Sequence, residues 1–195
     1  MRTQTKDIQE DLSQKDAHRN LVAGNRRFVQ NVKAQRNLKE QVFETSEGQF
    51  PFAVILSCID SRVPAELVFD QGIGDIFSIR VAGNIINEDV LGSMEYACKV
   101  AGSKIVLVLG HTKCGAVRAA CKNIEMGNIT PLLRKIKPAV SLVSSENPEM
   151  HDQAIERVAI QNVHLSIERV RTESAILSDM ERNGKIEIVG SQCIV

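Results

Sequence analysis

The stretches Phe52-Ala-Val-Ile-Leu-Ser-Cys-Ile-Asp-Ser-Arg62 and Lys104-Ile-Val-Leu-Val-Leu-Gly-His-Thr-Lys-Cys-Gly115 decide the fold. In each, a short unbroken apolar run stops abruptly at a polar cluster. Residues 52–56 and 105–109 lack the alternation of a half-wet strand and are too short for a core helix. They read as strands buried on both faces. Ile76-Phe-Ser-Ile-Arg80 reads as a third. The segments between them predict a short helix over 64–69 and a longer one over 87–100. Strand and helix in alternation mean an α/β protein with a mainly parallel central β-sheet flanked by helices.

Upstream of the first strand, Leu21, Val22, Asn25, Phe28, Val29 and Val32 repeat at a helical period, flanked by Arg19, Arg26 and Arg27. The spacing predicts a helix over 13–31 that must pack on its own sheet or on a partner subunit. Residues 34–49 are polar around Ser46, Glu47 and Gly48 and read as a loop. Downstream, a helix begins near Cys114 and continues through Ala116, Val117, Ala119 and Ala120. Thr130-Pro131 places a capping residue before a first-turn proline and starts another. Residues 151–182 read as one long helical region closed by Asn183-Gly184, and 185–189 as the last strand. No repeat or low-complexity tract interrupts the chain. Residues 1–195 are therefore expected to form a single domain, with a helical arm and loop over 1–48 and an α/β core over 49–195.

Composition narrows the function classes. The 195 residues carry 24 basic and 24 acidic side chains, a formal net charge of zero, which argues against a nucleic-acid binder. The same balance leaves little self-repulsion and tolerates an oligomer. Five cysteines, an odd number, do not make a disulfide framework; reduced thiols, some of them ligands, fit better. The polar opening residues hold no apolar leader core, and no run approaches the length of a membrane span. The expectation is a soluble cytoplasmic protein without a membrane partner.

In open α/β sheets ligands gather at the carboxyl ends of strands, and both polar clusters lie there. If the two strands are neighbours, Cys58, Asp60, His111 and Cys114 converge on one point. Singly, each residue is weak evidence, since a cysteine after a buried strand is usually a small core residue. Jointly, two thiolates and one imidazole make a zinc set that leaves a fourth position free, as catalytic rather than structural zinc sites do. Cys114 stands at a helix N-terminus, where the dipole and free N–H groups favour a thiolate. Asp60 can bind the zinc as a fourth ligand, or it can accept a hydrogen bond from the attacking water while Arg62 holds it bidentately.

These motifs, C-x-D-x-R over 58–62 and G-H-T-x-C-G over 110–115, resemble those of the β-class carbonic anhydrases. The similarity runs from the helix with Asn25-Arg26-Arg27-Phe28, through Val81-Ala82-Gly83-Asn84, to the final strand. The resemblance implies one Zn2+ per chain on Cys58, His111 and Cys114, an Asp60–Arg62 catalytic dyad, and reversible hydration of CO2 to bicarbonate. It also implies a homodimer or dimer of dimers, with the N-terminal helix embracing the partner. Gln49, Phe77, Tyr96 and Gly115 correspond to the family's substrate pocket. Gln49 favours the permanently open subtype, in which Asp60 stays off the metal. The tryptophan of the bicarbonate-gated subtype has no counterpart, Ile55 standing in its place; Arg80 is common to both subtypes. Members usually continue past the last strand with a tyrosine-containing turn and another strand, where this sequence stops at Gly190-Ser-Gln-Cys-Ile-Val195.

Three rival activities bear weighing. The same zinc site can hydrolyse a relative of CO2, such as carbonyl sulfide or carbon disulfide. A zinc-stabilised scaffold or a CO2/bicarbonate sensor would keep the site without turnover, but would have no use for Asp60–Arg62. A phosphatase with Cys58 as nucleophile would need a longer phosphate loop than 58–62 provides, and no G-x-S-x-G elbow exists. Cys98 and Cys121 read as core thiols, Cys193 as a thiol near the end of the sequence, and His18, His151 and His164 as surface or helix-face residues.

Overall fold

A computed structural model describes residues 3–146 and 149–195. Four strands form one sheet: β1 (Ala53–Ser57), β2 (Ile76–Arg80), β3 (Ile105–His111) and β4 (Glu187–Cys193). Their order is β2-β1-β3-β4, and each neighbouring pair is parallel. Every residue of β1 and β3 is buried, as their unbroken apolar runs predict for the two central strands.

The helices cover both faces. On one side, Val54, Leu56, Val106 and Val108 pack with Met94 of α5 (Glu88–Glu95), with Val163, Ile167 and Val170 of α9 (Asp152–Glu173), and with Leu177 of α10 (Ala175–Arg182). On the other, Ala53, Ile55, Leu107 and Leu109 meet Ala17 and Leu21 of α2 (Gln14–Val29) and Val68 of α4 (Ala65–Val68). The arm begins with α1 (Lys6–Asp11), whose buried Gln9 donates to the carbonyls of Pro51 and Ala101. A third apolar cluster sits past the strand ends, where α6 (Gly115–Cys121), α7 (Ile129–Arg134), α8 (Lys137–Glu146) and α9 meet. Helix α9 lies close against the sheet because a Cβ on Gly110 or Gly190 would come within 2.6 or 2.7 Å of Val163.

Four local expectations are corrected. Residues 38–44 are not loop but α3 (Leu38–Glu44), capped by Asn37, whose side chain accepts from the N–H of Glu40. Thr130 does not cap its helix: α7 starts at Ile129, and the Thr130 hydroxyl accepts from the N–H of Met126 instead. The region 151–182 is two helices broken at Ser174, a residue that ends α9 and caps α10 through Leu177 N. The last strand runs over Glu187–Cys193, two residues later at its start and four at its end than read. Among the described residues, no helix is long and apolar enough to cross a membrane.

Candidate metal centre

The strand order places a topological switch between β1 and β3: the chain leaves β1 toward β2 on one side and later returns to β3 on the other. Helices then diverge from the carboxyl ends of this pair and leave a crevice there. Register does the rest. Ser57 pairs with Leu109, so Cys58 emerges level with Gly110, and His111 ends β3 one residue on. A tight turn brings Cys114 back to cap α6. The candidate ligand atoms of Cys58, His111 and Cys114 all lie within 4.8 Å of one another, and all three residues are buried.

The donor set fits a soft-to-borderline dication. The Nδ1 of His111 lies 2.8 Å from the Thr112 carbonyl, which sets that nitrogen as the N–H donor. Its Nε2 is then a lone-pair acceptor, buried, close to the Cys58 sulfur and without a well-formed hydrogen bond among the described residues. Such an orphan costs free energy unless something electropositive sits against it. The thiols make the same demand. A hydrogen bond from Cys114 lowers the pKa of Cys58 against the effect of burial, with help from the His111 side chain and then from the N–H groups of Gly83 and Asp60. Cys114 is pushed up by its hydrogen bond with Cys58, by burial and by the charge on Cys58. One thiol ionises readily and the second resists unless a cation compensates both. Two sulfurs and one imidazole suit zinc and leave room for a further ligand.

Arg62 grips Asp60 as a fork, Nε to Oδ1 at 2.9 Å and Nη2 to Oδ2 at 2.8 Å, and the Arg62 N–H adds a third bond at 3.0 Å. These bonds hold the Asp60 carboxyl below the usual carboxylate range. Its Oδ2 stands 3.9 Å from His111 Nε2. From the end of β2, Arg80 donates to the carbonyls of Cys58 (3.1 Å) and Asp60 (2.6 Å) and so pins the loop that carries both. Gly115 opens α6 beside the cluster, and a Cβ there would meet nothing within 4 Å.

The sequence reading missed the outer support. Gly83 donates its N–H to Cys58 Sγ at 3.3 Å, and the Asn162 side chain of α9 holds the Gly83 carbonyl at 2.8 Å. Glu156, also on α9, accepts the N–H of Lys113 at 2.8 Å. Polar side chains facing inward from a long helix are the only sequence signal that could have marked them. His151 has a role too, capping α9 through Ala154 N.

Of the four pocket residues, Gly115 lies beside the cluster, whereas Phe77, Tyr96 and Gln49 are not gathered with it in one chain. Phe77 pairs with Val54 in the sheet, about four residues or ~13 Å before Cys58 at the usual strand rise. Its ring meets Tyr96 edge-on, centroids 6.3 Å apart, over an open groove lined also by Ile79 and Glu88. Tyr96 begins a π-helical turn (Tyr96–Val100) and is half-exposed. Gln49 is exposed ahead of β1.

Fold and site together define an α/β protein with a buried two-cysteine, one-histidine cluster, able to hold a metal ion, at the switch point of a parallel sheet. A family model described as carbonic anhydrase matches residues 53–194. Carbonic anhydrase 2 of Mycobacterium tuberculosis is 36% identical over 183 residues, 87% of this chain and 83% of that protein. The carbonic anhydrase of Mycolicibacterium smegmatis is 33% identical, over 88% and 84%. Among solved structures, a β-carbonic anhydrase of Aspergillus fumigatus superposes with a TM-score of 0.72 at 27% identity, covering 80% of this chain and 76% of that one. The chain belongs to the β-class carbonic anhydrases and is an enzyme of that family.

Proposed function

We propose that the protein interconverts CO2 and bicarbonate, with release of a proton, at a zinc ion held by Cys58 Sγ, Cys114 Sγ and His111 Nε2. When bound, the zinc supplies a Lewis acid that brings the ionisation of a water toward the neutral range. Everything else falls to the chain. Asp60, ionised and fixed by Arg62, accepts a hydrogen bond from the attacking water and aims its lone pair at the carbon of CO2. Arg62 acts through Asp60. With both carboxylate oxygens engaged by the guanidinium, Asp60 stays an acceptor rather than a fourth ligand, which is the open form of the site. The free space beside Gly115 gives CO2 room next to the ligands.

One observation carries this reading: an ionised, forked carboxylate set 3.9 Å from the buried His111 Nε2, which has no well-formed hydrogen bond among the described residues. A metal that only stapled the fold would gain nothing from it. Stopped-flow CO2 hydration by zinc-loaded protein at pH 8.5 tests the reading; a rate no higher than buffer refutes it. A faster rate with carbonyl sulfide or carbon disulfide would reassign the substrate.

Gln49, Phe77 and Tyr96 enter this scheme from a second copy. One chain leaves Phe77 and Tyr96 remote from the cluster, while Phe28, Val29, Leu38, Val42 and Phe43 expose apolar surface along the arm. A homodimer, single or paired, that buries this arm would bring one copy's pocket residues to the other's metal. Sedimentation of the active protein as a monomer would refute that assembly. The ligand thiols must stay reduced, which suits the cytoplasm.

A further inference from the structure

Helix α9 passes behind the metal centre without contributing a ligand, yet Glu156 points a carboxylate into the structure from it. Oε1 accepts the Lys113 N–H at 2.8 Å, and Oε2 is buried with no hydrogen-bond partner among the described residues. The residue is half-buried, yet one carboxylate oxygen is shielded from solvent, a cost that one ordinary loop contact does not explain. Lys113 is not an ordinary loop residue. Its φ of 55° lies in the left-handed region that a lysine seldom occupies, so the turn needs an external anchor to persist. It also joins the two halves of the site. The next residue is Cys114, and the Lys113 carbonyl accepts Arg62 Nη2 at 3.4 Å, the same nitrogen that holds Asp60 Oδ2 at 2.8 Å.

We propose that Glu156 is a positioning residue for the reaction. It fixes the Lys113 peptide, the peptide carbonyl orients Arg62, and Arg62 orients Asp60. The inference rests on the assignment of Asp60 given above. The neighbouring charges of α9 do not substitute for it: Asp152, one turn earlier, is engaged by Arg118 at 3.0 Å.

The contrast that decides it is Glu156→Gln against Glu156→Ala, both in the zinc-loaded protein. The amide oxygen of glutamine can still accept the Lys113 N–H, so Glu156→Gln should keep kcat within about threefold. Glu156→Ala should lower kcat at least tenfold while KM for CO2 stays within about twofold, because the interaction lost acts on the oriented water rather than on substrate binding. Zinc content should stay at one per chain in both. Hydrogen exchange gives a readout independent of turnover: the Lys113 amide should exchange at least tenfold faster in Glu156→Ala and at the parental rate in Glu156→Gln. Glu168→Gln, which removes an exposed carboxylate from the same helix, should change none of these. Parental kcat in Glu156→Ala, or an equal fall in both variants, would overturn the proposal. Asp60→Asn run alongside separates the two readings. If it is inactive while Glu156→Ala is active, Glu156 alone is misassigned. If it is active, Asp60 leaves the mechanism and the route through Glu156 goes with it.

Discussion

Replacing Gly83 by alanine would test whether the loop after β2 is built around the metal centre. Gly83 has a φ of 67°, and entering that region costs an L-residue about 1–2 kcal/mol. Its new Cβ would stand 2.6 Å from Ile136 Cδ1 and 3.2 Å from Ala116 Cβ, both side chains of the third apolar cluster. Overpacking of that kind costs a further ~1–3 kcal/mol when neighbours must shift. The expected loss is thus about 2–5 kcal/mol, which for a chain of this size lowers Tm by roughly 10 °C. The same backbone bears on the ligands. Gly83 N–H donates to Cys58 Sγ at 3.3 Å, and its carbonyl accepts from Asn162. If Cβ insertion pushes the peptide away, the Cys58 thiolate loses a donor, and second-layer losses of this type weaken metal binding about 10–100-fold. Urea unfolding would read the first quantity, and competition with a chelator for zinc the second. Loss of stability with unchanged zinc affinity would show that the Gly83 N–H does not tune the thiolate. A stability change below about 0.5 kcal/mol would refute the packing argument itself.

Asp60→Asn should keep one zinc per chain, measurable by metal analysis, and lose about 10²–10⁴ in kcat, the usual worth of a positioned proton acceptor; unchanged stopped-flow turnover would remove Asp60 from the mechanism. Asp70 ties the arm to the loop after α4 through Arg27, through Arg36 Nη1 at 2.8 Å and through the N–H of Ala34. Burial alone would raise its pKa, but the two arginines together lower it. Its contribution is therefore present above the unfolded carboxylate value and lost as pH falls through the lower folded value. Asp70→Asn should cost about 3–5 kcal/mol at pH 7, as loss of one partner of a buried pair does. It should also flatten the acid limb of stability followed by circular dichroism. Alkylation mapped by peptide mass should mark Cys193 and Cys121, both partly exposed, and spare Cys98, buried and pushed up to about 12. Cys58 and Cys114 should label only after chelation, and labelling of the zinc-loaded protein there would contradict their role as ligands.

What the sequence made legible follows from how each element is stabilised. β1 and β3 are plain because a strand buried on both faces must be apolar along most of its length, and residues 53–56 and 105–109 are. Helix α3 was invisible for the opposite reason. Gln41 is its one buried side chain, while Leu38, Val42 and Phe43 are exposed, so no apolar stripe marks it within one chain. Its only local signal was the Asn37 cap. The break at Ser174 hid because serine serves both as the end of one helix and as the cap of the next, and a helical period runs across it. Strand order was not written locally at all: the neighbouring of β1 and β3, on which the convergence of Cys58 with His111 and Cys114 depends, comes from long-range packing.

The site divides along the same line. Cys58, Asp60, Arg62, His111 and Cys114 lie within two short segments, so strand ends and one register suffice to assemble them. Glu156 and Asn162 reach the same centre from positions more than forty residues past Cys114, and their only local mark is a polar side chain on or beside the apolar face of α9. Phe77 and Tyr96 show a third situation. Parallel register sets Phe77 beside Val54 and not beside Cys58, and a one-residue slip would turn β2 over rather than move the ring to the strand end. No rearrangement within a chain that keeps this sheet can therefore bring both aromatics to the metal ligands. If they line the substrate pocket, the pocket belongs to two copies, and a dissociated subunit should retain its zinc while losing its grip on CO2.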